Sequence, residues 1–132
     1  MKKHEEIKNS DYLIYQNDEI LIVLDIDPIS EGHILILPQV HYKDIDELPL
    51  TLLFRIMEAA QKYMSLLKAK YSPKGFSMMQ NGGDYNDIDV FHLHVFPRFN
   101  NDDFNWKNEL KQVVQINILE LKASLKSELE GI

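Results

Sequence analysis

The chain has 132 residues, 45% of them apolar, and a formal net charge of −7. Its length suits a single domain, 1–132, with enough apolar material for a real core. The charge argues against broad electrostatic binding to nucleic acid or anionic membrane, and the lack of cysteine excludes disulfides and thiolate metal sites.

The N-terminal "MKKHEEIKNS" is charged and lacks the apolar centre of a signal peptide. No apolar run approaches the roughly 20 residues needed to span a bilayer, so a cytoplasmic protein is expected. "YLIYQNDEILIVLDI" reads as a hairpin turning at Asn17-Asp18. "DPISEG" (27–32) is a turn, and "HILILP" (33–38) a third strand stopped by Pro38. A helix follows, with Leu53, Ile56, Ala60, Tyr63 and Leu67 at spacings of three and four. Pro49 fits its first turn and Ser72-Pro73 its end. "FSMMQ" (76–80) is a fourth strand, "NGGDYND" (81–87) a loop and "VFHLHVF" (90–96) a fifth strand. From Lys107 to about residue 130, Leu110, Val114, Ile118, Leu121, Leu125 and Leu129 mark a long C-terminal helix. This order predicts an α+β fold: an antiparallel sheet of about five strands, a central helix and a C-terminal helix.

The fifth strand carries two of the five histidines, His92 and His94. Alternation puts Phe91, Leu93 and Val95 on one face and Val90, His92, His94 and Phe96 on the other. The Cα atoms of His92 and His94 are then about 6.7 Å apart, so both imidazoles can address one small ligand. Three readings fit. The pair are ordinary strand histidines, or two ligands of a metal site, or a nucleophile and a donor acting at phosphorus.

The surroundings separate these readings. "GHILILPQVH" (32–41), "QNGGDYND" (80–87) and "VFHLHVFPR" (90–98) occur in that order. Together they resemble the histidine triad (HIT) superfamily, whose signature is His-φ-His-φ-His-φ-φ, φ being apolar. His92 and His94 match its second and third histidines, and Val90 stands where the first would be. The resemblance runs from about Tyr12 to Trp106.

The resemblance implies a nucleotide hydrolase or nucleotidyl transferase acting at an α-phosphate, on substrates such as dinucleoside polyphosphates or phosphoramidates. His92 would be the nucleophile, carrying a nucleotidyl-histidine intermediate, and His94 would lie beside the phosphate. Asn81 and Asn86 would bind phosphate or serve their loop as turn residues. Asp25 would hold the ribose hydroxyls, and Val23 and Ile26 would wall the base pocket or pack in the core. His33 would support the catalytic strand from behind. His41 reads as structural or peripheral, His4 as exposed, and Arg98 as a strand-end surface arginine or a phosphate contact. No cofactor or metal is implied, and a homodimer is. The alternatives are a nucleotide-binding protein with little turnover and a metal-binding protein using His92 and His94.

Overall fold

A computed structural model describes residues 2–105 and 117–131. In chain order the elements are α1 (Lys2–Lys8), β1 (Leu13–Gln16), β2 (Ile20–Leu24), β3 (Ile34–Pro38), α2 (Leu50–Tyr71), β4 (Gly75–Met79), β5 (Leu93–Arg98) and α3 (Ile118–Leu129). Single 3₁₀ turns cover Ile45–Glu47 and Gly83–Tyr85. The strands form one five-stranded antiparallel sheet in the order β1-β2-β3-β5-β4.

The first hairpin turns where its residue types require. The Asn17 side-chain oxygen accepts the backbone N–H groups of Glu19 and Ile20, closing the loop from within. Alternation along the central strands then sorts side chains between two clusters. Ile20, Ile22, Ile34, Ile36, Phe91, Leu93 and Val95 pack under α2, against Leu52, Ile56 and Ala60. The helical stripe is therefore displaced slightly from expectation: Leu52 is buried, while Leu53 and Tyr63 sit partly buried at its margins. Truncating Ile56, which is 1% exposed, to alanine would cost about 2–5 kcal/mol. The helix ends at Ser72, whose left-handed φ of 47° caps it ahead of Pro73.

The opposite face buries less. Leu21, Val23, Leu37 and Val90 form a second cluster, with Ile7 of α1, Leu13, Leu35 and Ile88 packed against it. The thinner cover leaves room for a cavity on this side of the sheet.

Three expectations change. The charged N-terminus forms α1, and His4 is not exposed but buried, its Nε2–H donating to the Pro38 carbonyl at 3.0 Å. β5 begins at Leu93 rather than at residue 90. Pairing with β3 stops at Ile36↔Leu93, and the Phe91 N–H goes instead to the Tyr42 carbonyl. β5 also runs through Pro97, which pairs with Phe76 of β4 beyond the last β3 partner, Val95, where a missing N–H disrupts no ladder. Of the C-terminal helix expected over 107–130, α3 covers Ile118–Leu129, while Leu110 and Val114 lie outside the described residues. The α3 stripe buries none of its residues, so Leu121, Leu125 and Leu129 face outward.

Candidate active site

A cavity of about 490 Å³ opens on the thinly covered face. His92, His94, Val23, Asp25, Ile26, Leu35 and Asp87 are among its lining residues. The N-terminal segment supplies one wall through Lys3, Ile7 and Tyr12.

The turn between β2 and β3 delivers two of the key groups. Asp25 Oδ1 accepts the Asp27 N–H at 2.8 Å, and the Asp25 N–H bonds the His33 carbonyl at 3.0 Å. Gly32 has φ +97°, and a Cβ there would stand 3.2 Å from Leu67 and 3.5 Å from Pro97, so glycine suits this close turn. His33 follows it with only 2% of its surface exposed.

Hydrogen bonding fixes the protons on these rings. His33 Nδ1 accepts the Ile29 N–H at 3.0 Å, so in the neutral ring the proton is on Nε2. That Nε2–H donates to His94 Nδ1 at 2.9 Å. His94 must then carry its own proton on Nε2, the nitrogen not bonded to His33. Asp25 Oδ2 lies 3.3 Å from His33 Nε2 and 3.6 Å from His94 Nδ1, a counter-charge for any proton gained here. Burial is the main force holding His94 neutral, pushing it down to about 4 with help from His92 and His33 and against Asp25 and Asp87. Burial likewise lowers His33, opposed by Asp25.

His92 is fixed differently. Its Nδ1–H donates to the Val90 carbonyl at 2.9 Å, which leaves the lone pair on Nε2. Asp87 Oδ1 stands 3.7 Å from that Nε2. The rings of His92 and His94 meet edge-on, with centroids 4.8 Å apart. The arrangement therefore offers one unprotonated ring nitrogen and one neutral N–H donor beside it. Such a pair has the chemistry that a nucleophile and an oxyanion donor require.

The remaining predicted residues divide. Val23 is buried in the second cluster and also lines the cavity, whereas Ile26 lines it with 76% of its surface exposed. Asn86 does not line the cavity. Its Nδ2 donates to the Val90 and Lys43 carbonyls, and its Oδ1 accepts the N–H groups of Ile88 and Asp89. All four of its hydrogen-bonding positions are filled by backbone, three within its own loop and one from Lys43. Asn81 also lies outside the cavity lining, in the loop after β4, where its carbonyl receives the Gln80 amide. Arg98 is occupied by Asp102, at 2.6 Å, and by the Phe104 carbonyl. His41 donates to the Asp89 carbonyl and braces the same loop. Sequence reasoning missed Asp87 and the α1 wall. Neither has a periodic signal, and the fold alone carries them to the site.

Asp25, His33 and His94 also place three ligand-type atoms within 4.8 Å of one another. They fit a metal poorly as arranged. Ligation through His33 Nε2 would displace its proton while Nδ1 still accepts from Ile29, leaving an imidazolate. The pair His92 and His94 offers a metal one free lone pair, on His92 Nε2, because both nitrogens of His94 are committed in this network.

The HIT domain family profile matches residues 6–101. The chain belongs to the HIT family. It is 30% identical over 92 residues to an uncharacterized HIT-like protein of Methanocaldococcus jannaschii, covering 68% of this chain and 70% of that protein. An adenylylsulfatase of Arabidopsis thaliana is 28% identical over 98 residues, 73% of this chain and 49% of its own length. An adenosine 5'-monophosphoramidase of Candida albicans is 31% identical over 81 residues, 57% and 53%. The matched segments thus span about half of the two relatives with named activities. A HIT family protein from Bacillus anthracis superposes with a TM-score of 0.76 at 25% identity, over 96% of this chain and 95% of that one.

Proposed function

We propose that this protein is a nucleotide hydrolase or nucleotidyl transferase acting at an α-phosphate through a nucleotidyl-histidine on His92. The observation that carries the reading is the Val90 carbonyl at 2.9 Å from His92 Nδ1, which leaves the Nε2 lone pair for attack. The named activities of the Arabidopsis and Candida relatives, each acting on an adenylyl compound, support the substrate class.

In this reading Nε2 attacks the α-phosphorus and the leaving group departs with the bond's electron pair. His94 Nε2–H hydrogen-bonds a non-bridging oxygen as charge builds there. His94 stays neutral, its Nδ1 filled by the His33 N–H, so the leaving group takes its proton from solvent. Water or another acceptor then resolves the intermediate. Asp25, at the cavity edge, keeps lone pairs for ribose hydroxyls, and Val23 and Ile26 flank the base. Val90 takes the place of the first triad histidine. Its carbonyl keeps the His92 contact, and only the side-chain chemistry is lost.

The second reading is a nucleotide-binding protein with little turnover. It is favoured by Val90 being fully buried in the apolar cluster, where it supplies no acid or base. A screen of nucleotide conjugates with product identification, run beside His92→Ala, separates the two. Release of a nucleoside monophosphate by wild type alone supports catalysis, and binding without release supports the second reading. A homodimer belongs to the same proposal. β4 is an edge strand, Phe54, Met57 and Met78 are exposed beside it, and the α3 stripe is uncovered. Light scattering at twice the chain mass is the expected result.

A further inference from the structure

The charge of the cavity narrows the substrate. Among the described residues its charged lining groups are one ammonium, Lys3, and four carboxylates, Glu6, Asp25, Asp27 and Asp87. The imidazole at the phosphate position, His94, is held neutral by its burial. Asp87 is the carboxylate set against the proposed nucleophile, 3.7 Å from His92 Nε2, with 83% of its side chain exposed. Its neighbours hold the loop: Asn86 closes the turn, and Asp89 pairs with Lys43 at 3.6 Å.

A carboxylate here has two opposite effects. Attack by a neutral imidazole leaves positive charge on His92, which Asp87 stabilises. A leaving group on the same phosphorus lies within a Debye length of Asp87, so it feels that carboxylate directly. A polyphosphate is repelled and a cationic amine attracted. We propose that Asp87 is a specificity-determining residue, selecting nucleotide conjugates whose leaving group is neutral or cationic over those whose leaving group is anionic. This rests on the reading of His92 as nucleophile.

For a phosphoramidate the step balances without a further co-reactant. The Nε2 lone pair forms the N–P bond, and the P–N electron pair leaves with the amine. The leaving nitrogen takes its proton from solvent, because His94 is neutral and its Nε2–H stays on the non-bridging oxygen. Water then displaces His92, which leaves as neutral imidazole, and releases its proton to solvent, yielding the nucleoside monophosphate.

The test is a charge ladder at constant chemistry: adenosine 5'-phosphoramidates of 1,3-diaminopropane, propylamine and β-alanine. Their amine leaving groups carry a cationic, neutral and anionic tail. Wild type should rank them in that order by kcat/KM, with about a tenfold span at low salt. The span should shrink to within about threefold in Asp87→Asn and at high salt, and invert in Asp87→Lys. An unchanged ranking in Asp87→Asn, or an anionic tail preferred by wild type, overturns the proposal while leaving the nucleophile standing. Failure of wild type to turn over any of the three, with no label on His92, overturns the reading beneath it and this proposal with it.

Discussion

The carbonyl oxygen of Val90 receives two donors, the Nδ1–H of His92 at 2.9 Å and the Nδ2–H of Asn86 at 3.1 Å. The tautomer of the proposed nucleophile is thus set by main chain, and the main chain by a turn asparagine. Asn86→Ala should free that carbonyl and unseat His92. A misplacement on the ångström scale costs up to about 10²-fold, so kcat should fall between about tenfold and a hundredfold with KM little changed. Steady-state kinetics on a folded variant check this. A kcat equal to wild type would show that the turn does not position the ring.

Val90→His would place a histidine at a buried position and not in an open site. Val90 is fully buried among Leu21, Val23 and Leu37. A larger polar ring there overpacks the cluster and should cost about 1–3 kcal/mol. The thermal midpoint should drop, His92 should remain the nucleophile, and any rate change should stay within about 10²–10⁴-fold, the range of one acid–base group. An unaltered midpoint would mean that the position is more open than its burial implies.

Asp25→Ala should weaken ribonucleotide binding about tenfold to a hundredfold, the range for hydrogen bonds to a charged group. The 2',3'-dideoxy analogue should lose far less. Calorimetry with the matched pair of ligands decides it. Equal losses would assign Asp25 to the histidine pair alone, through its contacts with His33 and His94.

Stability should decline in acid. Burial holds His94 down to about 4 in the folded protein and lowers His33 and His4 as well. The unfolded chain binds these protons at the ordinary histidine value of about 6.5. Between about pH 6.5 and 4 the unfolded state therefore holds more protons, and stability falls as pH falls. The thermal midpoint should descend through that window, less steeply in His94→Ala. A midpoint flat across it in wild type would contradict the neutral-histidine network.

Much of the sheet was legible because its signals are local. A period of two separates Phe91, Leu93 and Val95 from Val90, and the α2 stripe has helical spacing. The proton network was not legible. It depends on the Ile29 N–H reaching His33 Nδ1, which only the folded turn specifies. Asn86 was ambiguous because one amide chemistry serves both a turn and a phosphate. The helix α1 hides in a charged stretch in which His4 is the buried residue among those described. Asp87 acquires meaning only when the loop swings it to His92.

The central claim is that His92 carries the nucleotide. The direct measurement is rapid quench of wild type with an adenosine 5'-phosphoramidate labelled at phosphorus, under alkaline conditions that preserve phosphoramidates, followed by peptide mapping. The account predicts transient label on His92, lost on chase with unlabelled substrate, and neither label nor turnover in a folded His92→Ala. Label on His94, or full activity in His92→Ala, would contradict it.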